Sequence, residues 1–585
     1  MFDLKIVGGT LVDGTGGPPV RGDVAVEGGR IVAVGAAPGE ARRVLDAEGA
    51  IVTPGFVDLH THYDGQVSWD PYLDASSLHG VTTCVMGNCG TGFAPVHDAD
   101  HGRLIELMEG IEDIPGAALA EGIRWGWRSF AEYMDVIDRT DHAVDLVMQV
   151  PHDALRVFAM GARAVAEEAA TEDDIARMRQ LLAEALRAGA AGFSTGRSDN
   201  HRSSRGEATP ASEAKQAELC GIAGAFAGIE HGVVQVVSDF DLAAGEERFE
   251  PEFDIVMALA RAAKKPLSIS LMQRDQAANQ WRRILERVEQ GRAEGLDLRV
   301  QAGARGIGVL LGLETTFMPF MGFPSYKRIA LLSREERVRA MRDPAFKARL
   351  LTERSEPLAG DGSAIPPLAD LLLANIDKVA LRLFRLGENP DYEPPMESSL
   401  YAEAYAKHEA PLSVIYDALL EDEGKQLLYF PIYNYTEFSL DNVRTMLAHP
   451  AALPGLSDGG AHVGTVCDGS FSTFLLAHWV RDRKQGRFPL EAMVKKMTHD
   501  TAAYMGLGDR GVLRPGKKAD LNIIDLDALA LERPRLAYDL PAGGRRLVQS
   551  ARGYRATVVS GKVTATHGAF TGELPGRVVR AFGAG

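Results

Sequence analysis

An alternation of short apolar strands with amphipathic helices runs through the middle of this chain and constrains its fold more than any other feature. The strand segments are apolar on both faces, which is typical of parallel strands covered by helices. Such a repeat, sustained over about four hundred residues, predicts an α/β fold with a distorted (β/α)8 TIM barrel. Nine segments fit the strand pattern, and we expect one of them, 427–432, to lie outside the eight-stranded ring. The other eight are 56–61, 81–86, 144–150, 190–195, 233–238, 266–272, 298–302 and 452–457.

The segment after Thr171 represents the helical half of the repeat. Thr171 is a suitable N-cap, and Asp174 stands three residues later, where an acidic side chain can complete a capping box. Apolar residues then recur every three or four positions until Gly189 ends the pattern. The stripe consists of Ile175, Met178, Leu181, Leu182 and Leu186. This spacing predicts a crossover helix between two barrel strands.

Both ends of the chain carry short β-segments separated by glycine-rich turns. Each set alone is too small to bury a core. We therefore predict that residues 1–55 and 509–575 complete one small composite β-sandwich, and that residues 56–508 form the barrel domain.

A long stretch at about 312–424 interrupts the barrel repeat. A connection of this length usually serves as a lid or a binding insertion. Its apolar side chains could cover either the active site or a second subunit. These side chains are Met318, Phe320, Met321 and Phe323.

A His-x-His motif, His60 and His62, follows the first predicted strand, and Asp458 follows the last one. Side chains two apart on a strand share a face, and the first and last strands of a closed barrel are neighbours. The three side chains can therefore meet at the carboxyl end of the barrel and bind a metal. Zn²⁺ is the first choice, as one or two ions, because imidazole and carboxylate suit it, although other divalent metals use the same ligands.

Such a centre predicts hydrolysis. A divalent ion with an open position lowers the pKa of bound water to about 7 and polarises a carbonyl. Asp458 would accept the proton of the water and return it to the leaving nitrogen. Asp58, on the same strand face as His60 and His62, has two equally weighted roles: orienting the ligands or simply filling the barrel.

Cys89 lies in a glycine-rich turn directly after the second predicted strand. Its thiolate at that position could join the two histidines as a metal ligand. The alternative is a small buried hydrophobe in a tight loop. The position beside the first strand favours the ligand.

Four further side chains follow predicted strands and are candidates for substrate binding. Arg197 and His201 could hold a carboxylate, although a charged loop exposed to solvent has the same composition. His152 could polarise a carbonyl or support a ligand, and His462 could orient Asp458 or contact substrate.

Several motifs together give the chain a family resemblance. These are residues 54–62 (PGFVDLHTH), 80–83 (GVTT), 87–90 (GNCG), 192–196 (GFSTG), 457–459 (SDG) and 506–511 (GLGDRG). They resemble the D-aminoacylase, or N-acyl-D-amino-acid deacylase, branch of the amidohydrolase superfamily over most of the chain except the insertion. The resemblance implies a zinc-dependent barrel enzyme that hydrolyses N-acyl amides. It also implies that His60, His62 and Cys89 are metal ligands and that Asp458 is the catalytic base.

The chain departs from that family at the fifth and sixth strands. Family members carry a histidine at the end of each, the second within a His-x-Lys pattern, whereas no histidine occurs here between His231 and His408. The available residues, Ser238, Asp239 and Gln273, are poor replacements for imidazole. The number of metal ions and the contacts to a substrate carboxylate therefore stay open at this point.

The sequence as a whole favours a cytoplasmic enzyme with a small-molecule substrate. A formal net charge of −17 and the lack of a basic cluster speak against nucleic acid, and no apolar run suits a membrane span. Self-association into a homo-oligomer is compatible with the pattern. We expect hydrolysis of a linear amide, most simply an N-acyl-D-amino acid; the alternatives are a cyclic amide or imide hydrolase and a barrel that binds a small ligand without turnover.

Overall fold

Eight parallel strands form a barrel in which each strand lies beside the one that precedes it in the chain. The computed structural model describes residues 1–240, 242, 245–360 and 362–581. A parallel bridge between Thr61 and Gly459 joins the last strand to the first. The fold is thus a distorted (β/α)8 barrel, as predicted, and segment 427–432 does lie outside it. The barrel strands are Phe56–Asp58, Val81–Met86, Asp145–Pro151, Gly192–Arg197, Val233–Ser238, Leu267–Leu271, Leu298–Ala302 and Ala452–Pro454.

The first and last barrel strands are shorter than the sequence pattern suggests. The Asp58 carboxylate accepts a hydrogen bond from the His60 backbone N–H at 3.2 Å, which turns the chain away from the strand. The last strand ends at Pro454, and Leu456 then adopts a positive φ of 57°. Both ends consequently become loops, and these loops carry the site described below.

Helices cover the outside of the barrel, as expected for parallel strands that are buried on both faces. The predicted helix after Thr171 spans Glu172–Arg187, with the capping box between Thr171 and Asp174 in place. Its buried stripe includes Met178, Leu182 and Leu186. The other helices between barrel strands, before the insertion, are His101–Glu112, Gly116–Gly122, Phe130–Asp138, His152–Met160, Ala162–Val165, Gln216–Ala223, Phe249–Ala263 and Gln280–Ala293. Four helices and two π-helical turns follow the insertion's last strand: Asp441–Ala448, Phe471–Leu476, Ala477–Asp482, Leu490–Lys495, Lys496–Asp500 and Thr501–Tyr504.

The two ends of the chain meet in one nine-stranded sheet. Ile51–Pro54 pairs with Leu521–Ile524, so that a strand from each end forms the junction. A buried core of aliphatic side chains from both ends includes Ile6 and Ile523. The remaining strands are Phe2–Leu11, Val20–Glu27, Arg30–Gly35, Ala41–Asp46, Tyr554–Val559, Lys562–Thr566 and Ala569–Phe570. Two further strand pairs near the C-terminus are Ala530–Leu531 with Ala551–Arg552, and Arg535–Leu540 with Gly544–Val548.

The insertion between the seventh and eighth barrel strands has its own small sheet and its own apolar core. The sheet contains Ile307–Leu311, Phe384–Arg385 and Leu428–Tyr433. Met318, Phe320 and Phe323 are buried in that core, and Met321 is partly buried against it, so these side chains pack within the insertion itself. The helices are Pro324–Lys327, Arg334–Met341, Pro344–Leu350, Pro367–Ala374, Ile376–Val379, Leu400–Lys407 and Pro411–Leu419.

The C-terminal tail crosses the amino end of the barrel. The Leu146 N–H donates to the Arg577 carbonyl at 2.9 Å, and the Ala581 N–H donates to the Gly189 carbonyl at 2.9 Å. Within the described residues, no helix is long and apolar enough to cross a membrane.

Candidate metal centre at the carboxyl end of the barrel

Backbone contacts between the first and last strand loops bring His60, His62 and Asp458 together. The Asp458 N–H donates to the His60 carbonyl at 3.1 Å, and the His62 N–H donates to the Gly459 carbonyl at 2.8 Å. Asp458 has a positive φ of 49°, a conformation that aspartate tolerates better than most residues. This turn aims its carboxylate at the histidines rather than along the strand.

His60, His62 and Cys89 present three donor atoms to one point. His60 Nε2 lies 3.2 Å from Cys89 Sγ, and His62 Nε2 lies 3.7 Å from it. The three side chains are buried, and their donor atoms all lie within 4.8 Å of one another. Asp458 Oδ1 is 3.4 Å from His60 Nε2 and 3.9 Å from His62 Nε2. The predicted side chains therefore converge.

A glycine-rich turn positions the thiol. Cys89 has a positive φ of 56°, and Gly87 and Gly90 beside it have φ values of 78° and 79°. A Cβ at Gly87 would lie 2.1 Å from the Gln149 carbonyl oxygen, so only glycine permits the turn to pack this closely on the third strand. The Cys89 N–H donates to Gln235 Oε1 at 3.0 Å, which directs Sγ toward the histidines.

The spacing of these donors fits a zinc-like ion. Zinc bonds of about 2.3 Å to sulfur and about 2.0 Å to nitrogen separate tetrahedral donors by roughly 3.5 Å. The observed sulfur–nitrogen distances of 3.2 and 3.7 Å bracket that value. Two imidazoles and a thiol are also the soft and borderline ligands that zinc prefers.

Each histidine has a contact on its other nitrogen. His60 Nδ1 lies 2.8 Å from Gln301 Oε1, and His62 Nδ1 lies 3.3 Å from Glu112 Oε1. An amide oxygen can only accept, so Nδ1 of His60 carries the proton and its Nε2 is free for a metal. The contact of His62 Nδ1 with Glu112 lacks hydrogen-bond geometry. Glu112, which was not predicted, also lies 3.6 Å from His462 Nε2.

Burial sets the ionisation of the site. Desolvation lowers the pKa of His60 to about 4 and that of His462 to about 4. Desolvation also raises the pKa of Asp458 to about 7. Neutral imidazoles keep their lone pairs available, which a metal ligand requires.

Asp58 links the first and last strands behind the site. Its carboxylate accepts hydrogen bonds from Ser457 Oγ at 2.6 Å and from the His60 N–H at 3.2 Å. Burial raises its pKa to about 6. Of the two roles considered for Asp58, these contacts favour orientation of the metal-binding loops.

A cavity of about 500 Å³ opens beside the loop that carries His201, with Asp199, Asn200 and Arg202 in its wall. His201 lies close enough to His62 and His462 to lower their pKa values, and His60 and Asp239 in turn influence the pKa of His201. The lining residues are Asp199, Asn200, Arg202, Asp239, Leu242, Arg274, Gln276, Pro367, Leu368, Leu371 and Tyr433. His201 and His462 thus lie near the candidate ligands, and their predicted contact with a substrate stays a prediction.

Two predicted substrate contacts are instead engaged within the protein. His152 Nδ1 lies 2.9 Å from Thr195 Oγ1, and its Nε2 lies 3.0 Å from Glu218 Oε1. The Arg197 guanidinium donates to Glu252 at 2.9 and 3.1 Å. Helices outside the barrel supply both carboxylates, so these two side chains point away from the mouth. The position of a residue after a strand does not tell whether its side chain faces the mouth of the barrel or the surrounding helices.

Comparison with known proteins shows the family to which the chain belongs. A family model described as Amidohydrolase family matches residues 43–565. The chain is 28% identical to a D-aminoacylase of Alcaligenes xylosoxydans xylosoxydans, over 99% of this chain and 97% of that protein. It is 29% identical to an N-acyl-D-glutamate deacylase of the same organism, over 92% and 90% of the two chains.

Solved structures show the same fold. A D-aminoacylase structure, determined to establish the role of its binuclear metal centre, superposes with a TM-score of 0.63 at 25% sequence identity. The match covers 99% of this chain and 100% of that one. In that D-aminoacylase, one metal ion activates the enzyme and a second metal ion attenuates it.

Proposed function

Because this chain belongs to the amidohydrolase family, we propose that it cleaves the linear amide bond of N-acyl-D-amino acids or related N-acyl compounds. The observation that carries the proposal is the convergence of His60, His62 and Cys89 beside Asp458 at the carboxyl end of the barrel. Relatives that match nearly the whole chain are deacylases of N-acyl-D-amino acids. Zn²⁺ is the proposed ion because the donor set contains a thiol and two imidazoles.

In the proposed mechanism His60, His62 and Cys89 hold the metal. A bound divalent ion would supply an activated water and polarise the substrate carbonyl. Gln301 holds the His60 imidazole in the tautomer that leaves Nε2 free, and Glu112 lies 3.3 Å from Nδ1 of His62. Burial of all three ligands excludes bulk water from the reacting atoms.

Asp458 is the proposed proton carrier. Its carboxylate is beside both histidine Nε2 atoms, while 15% of its side chain stays exposed toward the mouth of the barrel. It can therefore take a proton from the attacking water and deliver it to the leaving nitrogen without moving. His201 and His462 border the same space and are the proposed contacts to the substrate amide.

The adjoining cavity is the proposed place for the rest of the substrate. Arg202 and Arg274 provide cationic donors for a carboxylate, and Leu368 and Leu371 provide an apolar wall. Its volume of about 500 Å³ lies in the range of small-molecule sites. The cytoplasmic location and the self-association expected from the sequence stay predictions.

The test is hydrolysis of a panel of N-acetyl and longer N-acyl derivatives of D- and L-amino acids by zinc-loaded protein. Asp458→Asn should keep its metal by elemental analysis and lose about 10²- to 10⁴-fold in kcat. Asp377→Asn, an exposed aspartate of the insertion, is the matched control and should match wild type. Release of no amino acid from any member of the panel, or full activity in Asp458→Asn, would contradict the proposal.

A further inference from the structure

Amide and hydroxyl side chains line the barrel interior beneath the candidate metal centre. Glutamines occupy strands three, five and seven, and serines occupy strands four and six. They are Gln149, Ser194, Gln235, Ser268 and Gln301, all at most 2% exposed. A neutral floor of this kind offers no imidazole, thiolate or carboxylate to a second ion.

Two of these glutamines already use their oxygen atoms. Gln301 Oε1 bonds to His60 Nδ1 at 2.8 Å, while its Nε2 donates to Ser268 Oγ at 3.0 Å. Gln235 Oε1 accepts the Cys89 N–H at 3.0 Å. The remaining polar atom of each glutamine is a donor, which cannot ligate a cation.

The ends of the fifth and sixth strands provide no replacement ligands. Ser238 Oγ accepts the Phe240 N–H at 2.9 Å. Asp239 Oδ2 accepts the Asp199 N–H at 2.7 Å, and Gln273 Nε2 donates to Glu437 at 2.9 and 3.0 Å. These contacts orient the three side chains toward loops and the insertion. Among the residues that the structure describes, one group of three or more His, Cys, Asp or Glu side chains could hold a metal ion, and it is His60, His62 and Cys89.

We infer that this protein builds a mononuclear centre, in which Cys89 is a terminal ligand and glutamines stand where a second ion would need ligands. The inference rests on the proposed roles of His60, His62 and Cys89. A carboxamide oxygen suits magnesium or calcium better than zinc. The oxygens of Gln301 and Gln235 already make hydrogen bonds, and the unpartnered oxygen of Gln149 is likewise a neutral amide. The D-aminoacylase with a binuclear centre is attenuated by its second metal; this protein therefore lacks that attenuation and keeps its activity in excess zinc.

The decisive experiment is a Co²⁺ titration of metal-free protein, read by the absorption band of a cobalt–thiolate bond and by elemental analysis after gel filtration. The band should saturate at one equivalent, and one equivalent should be retained after equilibration with excess metal. The relative with the binuclear centre, treated in parallel, should take up two. Retention of two equivalents by wild type would overturn the inference.

Substitutions test whether a glutamine of the barrel interior is a metal ligand. Gln301→Ala and Gln235→Ala should each still bind one equivalent, and loss of the support to His60 should weaken the affinity of Gln301→Ala by about 10- to 100-fold. Gln149→Ala is the matched control, because Gln149 contacts Asn88 rather than a metal donor, and its affinity should stay within a few-fold of wild type. A second equivalent that disappears in Gln235→Ala would show that Gln235 is a ligand.

The outcome is independent of the substrate. One equivalent without amide hydrolysis would contradict the proposed function and leave the mononuclear centre standing. Two equivalents together with amide hydrolysis would overturn the mononuclear centre and leave the proposed function standing. The cobalt–thiolate band should be lost in Cys89→Ser. Its persistence would overturn the assignment of Cys89 as a terminal ligand.

Discussion

At the residue scale, Glu112 contacts two histidines of the candidate metal centre although no motif surrounds it. It is the last residue of the helix His101–Glu112, and its side chain is 1% exposed. The Glu112 carboxylate lies near His62 Nδ1 and His462 Nε2 and accepts a hydrogen bond from Thr91 Oγ1 at 3.2 Å. A carboxylate behind a metal-binding histidine fixes the tautomer and raises the basicity of the ring.

Glu112→Gln should lower metal affinity by about 10- to 100-fold, because the substitution removes the carboxyl group beside His62. Competition with a chelator of known affinity measures this change. Glu109→Gln, one turn earlier on the same helix, is the control and should bind metal as wild type does. Unchanged affinity in Glu112→Gln would show that the carboxylate does not support His62.

His152 represents the opposite case, a histidine after a barrel strand that serves stability. Its two ring nitrogens are bonded to Thr195 and Glu218. His152→Gln should therefore lower the free energy of unfolding by about 1–3 kcal/mol, since buried partners lose a hydrogen bond. The kcat/KM of the metal-loaded variant should stay within a few-fold of wild type. A large loss of kcat/KM with unchanged stability would return His152 to the active site.

At the element scale, Glu393 ties the insertion to the helical segment after the last barrel strand. Its carboxylate accepts hydrogen bonds from Arg483 at 2.8 and 3.0 Å and from the Leu440 N–H at 2.8 Å, and His478 Nε2 lies 2.9 Å away. Although desolvation opposes ionisation, these donors lower the pKa of Glu393 to about 2. The insertion thus docks through a charge-assisted contact as well as through its own core.

This contact predicts a pH dependence of stability. The folded pKa of Glu393 is below its ordinary value of 4.5, so its stabilising contribution is fully present above pH 4.5 and is lost as the pH falls toward about 2. Urea unfolding at several pH values should show a shallower acid loss of stability in Glu393→Gln than in wild type. Glu397→Gln, a nearby glutamate of the insertion, is the control. Identical pH profiles for Glu393→Gln and wild type would contradict the assignment.

At the scale of the whole molecule, a buried ion network joins the terminal sheet to the barrel. Asp145, at the start of the third barrel strand, pairs with Arg510 at 2.5 Å and with Lys518 at 2.8 Å. Asp520, beside the terminal strand Leu521–Ile524, pairs with Lys518 at 2.7 Å. The C-terminal tail adds a further contact, because the Arg577 N–H donates to Asp145 at 3.0 Å.

Asp145→Asn should reduce the free energy of unfolding by about 3–5 kcal/mol, because the buried Arg510 and the partly buried Lys518 lose a charged partner. Chemical denaturation followed by circular dichroism measures the change. Asp525→Asn, whose partner Arg555 is nearer the surface, should cost only about 0–1 kcal/mol. Equal costs for the two substitutions would mean that the buried network contributes little to the junction.

The sequence by itself determined the barrel, the pairing of both ends in one sheet and the convergence of His60, His62, Cys89 and Asp458. These features follow from local periodicity and from chain order around a closed barrel, both of which are readable along the chain. Only the tertiary structure decided which other side chains face the mouth. Glu112 contacts His62 from the end of a helix, while His152 and Arg197 bind carboxylates on surrounding helices. The reason is physical: the direction of a loop side chain depends on partners distant in sequence, whose positions no local pattern encodes.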